Sequence, residues 1–205
     1  MKFYNEKKIN MILNRDFYIK DGVTLAKDLL GKILVKEIDG VLYKGRIVET
    51  EAYMGVIDKA CHAYNNRRTK RTEAMYREGG YSYIYLIYGM YHCFNVTASI
   101  KNNPEAVLIR ALEPLDNKDI MLKIRKVKSE KYIANGPGKL TKALGITSDD
   151  NNIDLTLGKN IWIEDDGYVP NKITETTRVG IDYAEEFKEK PWRFYISENN
   201  NVSKK

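Results

Sequence analysis

Tyr81-Ser82-Tyr83-Ile84-Tyr85-Leu86-Ile87-Tyr88-Gly89-Met90-Tyr91 packs five tyrosines into eleven residues, and their spacing is ordered. Tyr81, Tyr83 and Tyr85 alternate with Ser82, Ile84 and Leu86, the two-residue period that sends neighbouring side chains to opposite faces of a strand. The phase breaks at Tyr88-Gly89, where the glycine permits a reversal, and His92-Cys93-Phe94-Asn95-Val96-Thr97 returns as the partner strand of a hairpin with an aromatic at its tip. Two readings of this hairpin stand side by side. Tyrosine has high β propensity, so it is a tyrosine-rich edge packed on a core; or it is a stacking platform for flat rings that ends in an aromatic wedge.

The flanking chain is strand-rich with short helices. Leu25, Ala26, Leu29 and Leu30 are apolar at helical spacing after Asp21-Gly22-Val23-Thr24, and Gly31 stops the helix. Asp39-Gly40, between Lys32–Ile38 and Val41–Tyr43, is a strong hairpin signal. The second arm continues through Gly45-Arg46-Ile47-Val48-Glu49-Thr50-Glu51-Ala52-Tyr53, with Ile47, Glu49, Glu51 and Tyr53 expected on one face and Val48, Thr50 and Ala52 on the other. Ala106-Val107-Leu108-Ile109-Arg110-Ala111-Leu112 reads as a buried strand whose arginine needs an anionic partner, or else as a sheet edge. A helix is expected near 119–128, and another, Thr141–Leu144, follows Asn135-Gly136-Pro137-Gly138-Lys139-Leu140 and ends at Gly145. That glycine-rich turn offers backbone N–H groups to an anion, but Leu140 occupies the place where a P-loop needs Ser or Thr. Further strands are expected at 160–163 and 192–196. The segment from Glu198 onward is polar and is expected to be disordered.

A chain of 205 residues suits one domain with a real core. Lys+Arg 34 against Asp+Glu 28 gives a net charge of +6, which suits an anionic partner. The cations of Asn65-Asn66-Arg67-Arg68-Thr69-Lys70-Arg71 are either a solvated face or a phosphate contact. No apolar run approaches the roughly 20 residues of a membrane helix, and the first residues lack a signal-peptide core, so no membrane partner and a cytoplasmic location are expected, associated with the nucleoid if the source is bacterial. Cys61 and Cys93 are then expected as free thiols.

Cys61-His62 and His92-Cys93 could in principle bind zinc. Adjacent residues on a strand point to opposite faces, however, and no C-x₂-C or H-x-x-x-H spacing exists, so no metal is expected. Nor does any spacing bring His62 or His92 to a thiol for nucleophilic catalysis. A carboxylate acting on water is better supported: Glu49 and Glu51 lie two apart beside Tyr53, and a general base needs only one carboxylate in reach of a water and its electrophile. Two solvated glutamates on a surface strand remain the alternative.

At these residues the chain resembles the 3-methyladenine DNA glycosylases of the alkyladenine (methylpurine) type. The matching strings are GRIVETEAYMG (45–55), DKACHA (58–63), TKRTEAM (69–75), YIYLIYGMYHCFN (83–95), AVLIRALEPL (106–115), NGPGKL (135–140), TRVG (177–180) and RFY (193–195), in the family's order and spanning about Leu25 to Ser197. Each string is modest alone; the ordered set is specific. The resemblance implies base excision repair, in which a damaged purine nucleotide is flipped out of double-stranded DNA and its N-glycosidic bond is hydrolysed without metal or organic cofactor. Alkylated and deaminated purines such as 3-methyladenine and hypoxanthine are the implied substrates. Glu51 matches the general base, and Arg110 and the backbone carbonyl of Val179 match groups that help hold the water. Tyr53, His62 and Tyr85 match the side chains enclosing the base, and Asn95 matches a position that disfavours normal guanine through its exocyclic amino group. Tyr88 matches the residue that intercalates into the gap, with Met90, Tyr91 and Lys139 as DNA backbone contacts. No lysine occupies the place of a Schiff-base nucleophile, so a monofunctional enzyme leaving an abasic site is implied.

The expected fold is α+β: one domain over 1–205, its core about 21–197, with a curved, largely antiparallel sheet flanked by short helices and a protruding hairpin for minor-groove insertion. A monomer is expected. The competing classes are a catalytically silent nucleic-acid-binding module and a small-molecule nucleoside hydrolase.

Overall fold

Asp39 and Gly40 both adopt positive φ, 50° and 77°, the two-residue turn whose twist matches paired strands. The hairpin they close pairs Ile33–Ile38 with Val41–Arg46. The computed structural model describes residues 11–205; the expectations for residues 1–10 lie outside the described residues. In chain order the elements are β1 (Met11–Ile12), α1 (Arg15–Tyr18), α2 (Gly22–Asp28), β2 (Ile33–Ile38), β3 (Val41–Tyr53), β4 (Ser82–Ile87), β5 (Tyr91–Ala98), β6 (Glu105–Pro114), α3 (Lys118–Arg125), α4 (Pro137–Leu144), β7 (Ile161–Asp165), β8 (Ile173–Thr176) and β9 (Arg193–Ile196). Short 3-10 turns at Gly55–Ile57, Tyr64–Asn66, Glu73–Tyr76 and Asp182–Glu189 lie between them.

The strands form one antiparallel sheet in the order β1-β7-β2-β3-β6-β5-β4, with β9 pairing with β3 and with β8. The fold is α+β and a single domain, as expected. β3 is the strand on which the sheet is centred. It pairs with β2 through its first half, with β6 through its second, and with β9 from Glu49 to Glu51. Its carboxylate-bearing segment is therefore flanked by strands on both edges, which leaves its backbone little freedom.

The main core lies on the helical face. Leu25 and Ala26 of α2 and the adjoining Leu29 and Leu30 pack with Val48 and Ala52 of β3, Val107 and Ile109 of β6, Phe94 and Val96 of β5, and Leu140 and Leu144 of α4. Asp21 caps α2 by accepting from Val23 and Thr24 N–H, both at 3.0 Å, which satisfies two of the donors a helix start leaves open.

Ile47 departs from its expected face. It packs in the main core beside Val48, because the β3–β6 register slips between Ile47 and Glu49 and again between Glu49 and Thr50. A bulge of this kind inserts one residue and resets the alternation. Helix α4 starts at Pro137, earlier than the expected Thr141, since proline suits the first helical position. Gly138 sits within it for packing: a Cβ there would lie 3.0 Å from the Tyr91 side chain. The segment from Glu198 was expected to be disordered and is instead docked. Val202 is buried, Arg193 Nη1 donates to Lys204 O at 2.8 Å, and the Ser203 N–H donates to Glu49 Oε2 at 2.6 Å. One apolar side chain, main-chain bonds and the polar side chains of Asn199 and Ser203 hold it, and polar composition does not distinguish such anchors from solvated groups.

Asp58 and Arg178 clamp the turn after β3 to the loop after β8. Arg178 donates from Nη1 to Asp58 Oδ2 at 2.5 Å and from Nη2 to Oδ1 at 2.9 Å, and both side chains are fully buried. The guanidinium also lies 4.8 Å from the Tyr53 ring centroid and 5.0 Å from that of Trp192. Asp58→Ala leaves a buried cation unpaired, so it is expected to lower unfolding free energy by about 3–5 kcal/mol in urea titrations. A loss well below that range would show that the clamp carries little of the stability.

Candidate active site

The tyrosine stretch and the glutamate strand meet through the sheet register. Tyr83 pairs with Asn95, Asn95 with Leu108, Leu108 with Glu51, and Glu51 with Arg193, a row crossing five strands. Paired residues project to the same face, and period two brings in Tyr85, Arg110, Glu49 and Tyr53 from the same strands. Their alternates Ile84, Phe94, Val107 and Ala52 fill the helical core. The face opposite the helices therefore carries the chemistry. A cavity there is lined by Tyr53, His62, Arg71, Tyr83, Tyr85, Asn95, Arg110 and Val179 among others.

Glu51 is fully buried among three of these residues. Its Oε1 accepts from the Val179 N–H at 2.7 Å, and its Oε2 accepts from Tyr53 Oη at 2.9 Å and lies 3.2 Å from Arg110 Nη1. Burial, followed by the charge of Glu51, raises the Tyr53 pKa well above the ordinary tyrosine value, so the phenol remains a donor. An ionised carboxylate offers roughly four lone-pair sites; the Val179 N–H takes one on Oε1 and the Tyr53 hydroxyl one on Oε2, beside which Arg110 stands as an ion-pair partner. Oε1 keeps one.

Arg110 falls at the register slip, between the Ala111–Glu49 and Ile109–Thr50 pairs. Its Nε donates to Glu49 Oε1 at 3.1 Å while Nη1 faces Glu51. Burial opposes the charged form of Arg110, but the two carboxylates outweigh it and raise the arginine pKa. Arg193 Nη1 donates to Glu49 Oε1 at 2.9 Å, and its Nε donates to Thr177 O at 2.9 Å, two residues before Val179. Two buried carboxylates thus face two buried arginines.

The pocket wall is aromatic and electrically quiet. His62 Nδ1 lies 2.8 Å from Tyr83 Oη, and its Nε2 lies 3.5 Å from Arg71 Nη2. Arginine can only donate, so Nε2 carries the lone pair and Nδ1 the proton, which it donates to Tyr83. Burial, then the charges of Arg71 and Arg67, lowers the His62 pKa from 6.5 to about 4. His62 is neutral at pH 7. It stands edge-on to Tyr85, with centroids 4.6 Å apart, and Arg71 lies over the Tyr85 ring at 5.3 Å. Asn95 is buried and donates from Nδ2 to Tyr83 O at 3.0 Å and Cys93 O at 3.4 Å, which fixes its amide in the wall. Burial pushes the Cys61 thiol up to about 12 and raises that of Cys93, so neither is a nucleophile at neutral pH.

The structure brings Glu51, Arg110, Val179, Tyr53, His62, Tyr85 and Asn95 together. Tyr88, Met90 and Tyr91 stand apart at the exposed hairpin tip, where Tyr88 is 84% exposed. Lys139 lies on α4, its Nζ donating to Asn135 Oδ1 at 2.9 Å. Val179 meets Glu51 through its N–H, a contact beyond the expected carbonyl role. Sequence reasoning missed Tyr83, Arg71, Arg193 and the Asp58–Arg178 clamp. Tyr83 was findable, since it shares its strand parity with Tyr85; Arg71 sits in a loop with no periodicity to read.

The family model described as Methylpurine-DNA glycosylase (MPG) matches residues 16–200. A protein of Clostridium botulinum (strain Alaska E43 / Type E3) named "Putative 3-methyladenine DNA glycosylase" is 55% identical over 205 residues, covering 95% of this chain and 100% of that protein. A protein of the same name from strain Hall / ATCC 3502 / NCTC 13319 / Type A is 51% identical over 203 residues, with 95% and 100% covered. With the model matched over nearly the whole chain and relatives at more than half identity, the chain belongs to the methylpurine-DNA glycosylase family.

Proposed function

We propose that this protein flips alkylated or deaminated purine nucleotides out of duplex DNA and hydrolyses the N-glycosidic bond with a water activated by Glu51, leaving an abasic site. The observation that carries the reading is a buried Glu51 beside an aromatic pocket, held by the Val179 N–H, the Tyr53 hydroxyl and the Arg110 ion pair, with a lone pair left on Oε1. A water donating one proton to that lone pair points its oxygen at an electrophile held in the pocket. Positive charge developing on the sugar then faces a carboxylate already oriented by three donors, so little reorganisation is needed at the moment of reaction.

Tyr85, Tyr53 and His62 enclose the base in this reading. Base–aromatic stacking is worth about 1–3 kcal/mol per base, comparable with the few kcal/mol that unstacking costs. Asn95 is tied to two backbone carbonyls and cannot swing aside, so an exocyclic amino group pressed against it would be crowded. Tyr88, exposed at the tip of the β4–β5 hairpin, fills the gap, with Met90, Tyr91 and Lys139 near the DNA backbone. The same chemistry needs no metal or organic cofactor, and with water as nucleophile the enzyme is monofunctional. It acts as a monomer.

Glu51→Gln is expected to bind duplex DNA containing an abasic site as tightly as wild type while base release slows by at least about 10²-fold. Single-turnover release from oligonucleotides carrying 3-methyladenine, 7-methylguanine, hypoxanthine or ethenoadenine measures this and ranks the lesions. Unchanged release would remove Glu51 from the mechanism, and turnover of free nucleosides without duplex affinity would favour a small-molecule hydrolase. Tyr88→Ala is expected to weaken damaged-duplex binding by about 1–3 kcal/mol and to reduce the flipped population, with less effect on a base already extruded. Equal losses in both would contradict a wedge.

His62 offers a pH readout, because the chain has 2 histidines and NMR can follow both. Its folded midpoint is expected at about 4, against an ordinary 6.5, and Arg71→Ala is expected to raise it by removing the nearer cation. Between those values the unfolded chain binds a proton that the folded chain refuses, so this contribution to stability is full above pH 6.5 and is lost as pH falls towards 4. A His62 midpoint near 6.5 would mean that the ring is neither buried nor held beside the arginines.

A further inference from the structure

Glu49 is fully buried, and its bonds end on a segment that polar composition marks as dispensable. Its Oε1 accepts from Arg110 Nε at 3.1 Å, Arg193 Nη1 at 2.9 Å and Ser203 Oγ at 2.9 Å. Its Oε2 accepts from the Ser203 N–H at 2.6 Å. Ser203 therefore touches both oxygens of the carboxylate, and it also lies 3.4 Å from Arg110 Nη2. Buried Val202 on one side and the Arg193–Lys204 main-chain bond on the other pin it there.

The geometry points to Ser203 as a positioning residue for the reaction, acting through Glu49 on Arg110 and so on Glu51. This rests on the function proposed above. Arg110 is shared between two carboxylates, with Nε on Glu49 and Nη1 facing Glu51. Where its guanidinium sits depends on which way the Glu49 carboxylate is turned. Arg193 cannot fix that orientation alone, because it reaches only Oε1, the oxygen that Arg110 also uses. The Ser203 N–H holds Oε2 and its hydroxyl holds Oε1, so the carboxylate plane is set from outside the pocket. With the serine hydroxyl absent, Glu49 loses one of its four donors and Arg110 loses the acceptor of its Nη2, so the carboxylate and the guanidinium are held less firmly in one orientation. Arg110 then follows Glu49 and loses its station beside Glu51 Oε2. Ser203 does not itself line the pocket and meets it only through Arg110, whose Nη2 donates to the serine hydroxyl at 3.4 Å, so its effect would fall on the chemical step and spare DNA binding.

The test uses full-length protein under single-turnover conditions at a temperature where circular dichroism shows each variant folded. Ser203→Ala is expected to slow base release about tenfold, the scale of misplacing a catalytic group by a fraction of an ångström, while its Kd for abasic-site duplex stays at the wild-type value. Ser203→Thr, which keeps both the N–H and a hydroxyl, is expected to restore the rate. Removal of residues 202–205 is expected to slow release further than Ser203→Ala. Release by Ser203→Ala at the wild-type rate overturns the proposal, as does a slowing that Ser203→Thr shares or one that tracks an equal loss of DNA affinity. Wild-type protein that released no base from any lesion duplex would overturn the function instead, so the two failures are read apart.

Discussion

Two carboxylates on one face of a single strand, both without solvent, set the terms on which this fold can exist. Glu49 and Glu51 stand two residues apart on β3 and are fully buried. Like charges at that spacing repel, and both side chains are shielded from bulk solvent. Arg110 from β6 and Arg193 from β9 balance them. Those two strands flank β3 on opposite edges, so the sheet order is also the order that neutralises the site. Such clusters add little to stability compared with apolar packing of the same volume. What they do supply is a defined geometry, and here it surrounds Glu51.

Much of this was legible because alternation carries two messages at once. On β4 and β5, Tyr83, Tyr85 and Asn95 share one parity and Ile84, Phe94 and Val96 the other, so pattern separates site from core there, whereas on β6 Arg110 shares its parity with Leu108 and Leu112 and stands out only by its charge. The Asp39-Gly40 turn was equally plain. Ile47 defeated the same reasoning because a bulge is a matter of pairing between strands, and no single strand displays it. The 198–205 segment was read as disordered because its anchors are one valine, main-chain groups and polar side chains such as Asn199 and Ser203, which composition cannot tell from solvated ones. β8, a short edge strand, and the Val179 N–H were invisible for a related reason: backbone donors look alike in every sequence. Gly138 was taken for an anion-binding turn, yet its lack of a Cβ makes room for Tyr91.

The pocket separates charge by depth. Ion pairs lie beneath it, neutral rings form its walls, and Arg71 stands at its rim with His62 as neighbour. In the function proposed above, walls of neutral rings would take a purine by its faces without demanding one pattern of hydrogen bonds. Selectivity then falls to the few groups fixed at the edges, of which Asn95 is the most constrained. The cation at the rim also ties the ionisation of His62 to whatever anion approaches from outside.

The partners of Glu49 lie 61, 144 and 154 residues away along the chain, at Arg110, Arg193 and Ser203. Contacts of such separation form slowly, since long loops must close before any bond repays them. A nascent chain that has emerged through β6 already holds β3, the tyrosine hairpin and Arg110, but Glu49 still lacks two of its three partners. The aromatic side of the pocket, Tyr53, His62, Tyr83 and Tyr85, is therefore present in the chain before the carboxylates beneath it have all their partners. During synthesis, the charge balance of the site waits on the last dozen or so residues of the sequence, Arg193 and Ser203 among them.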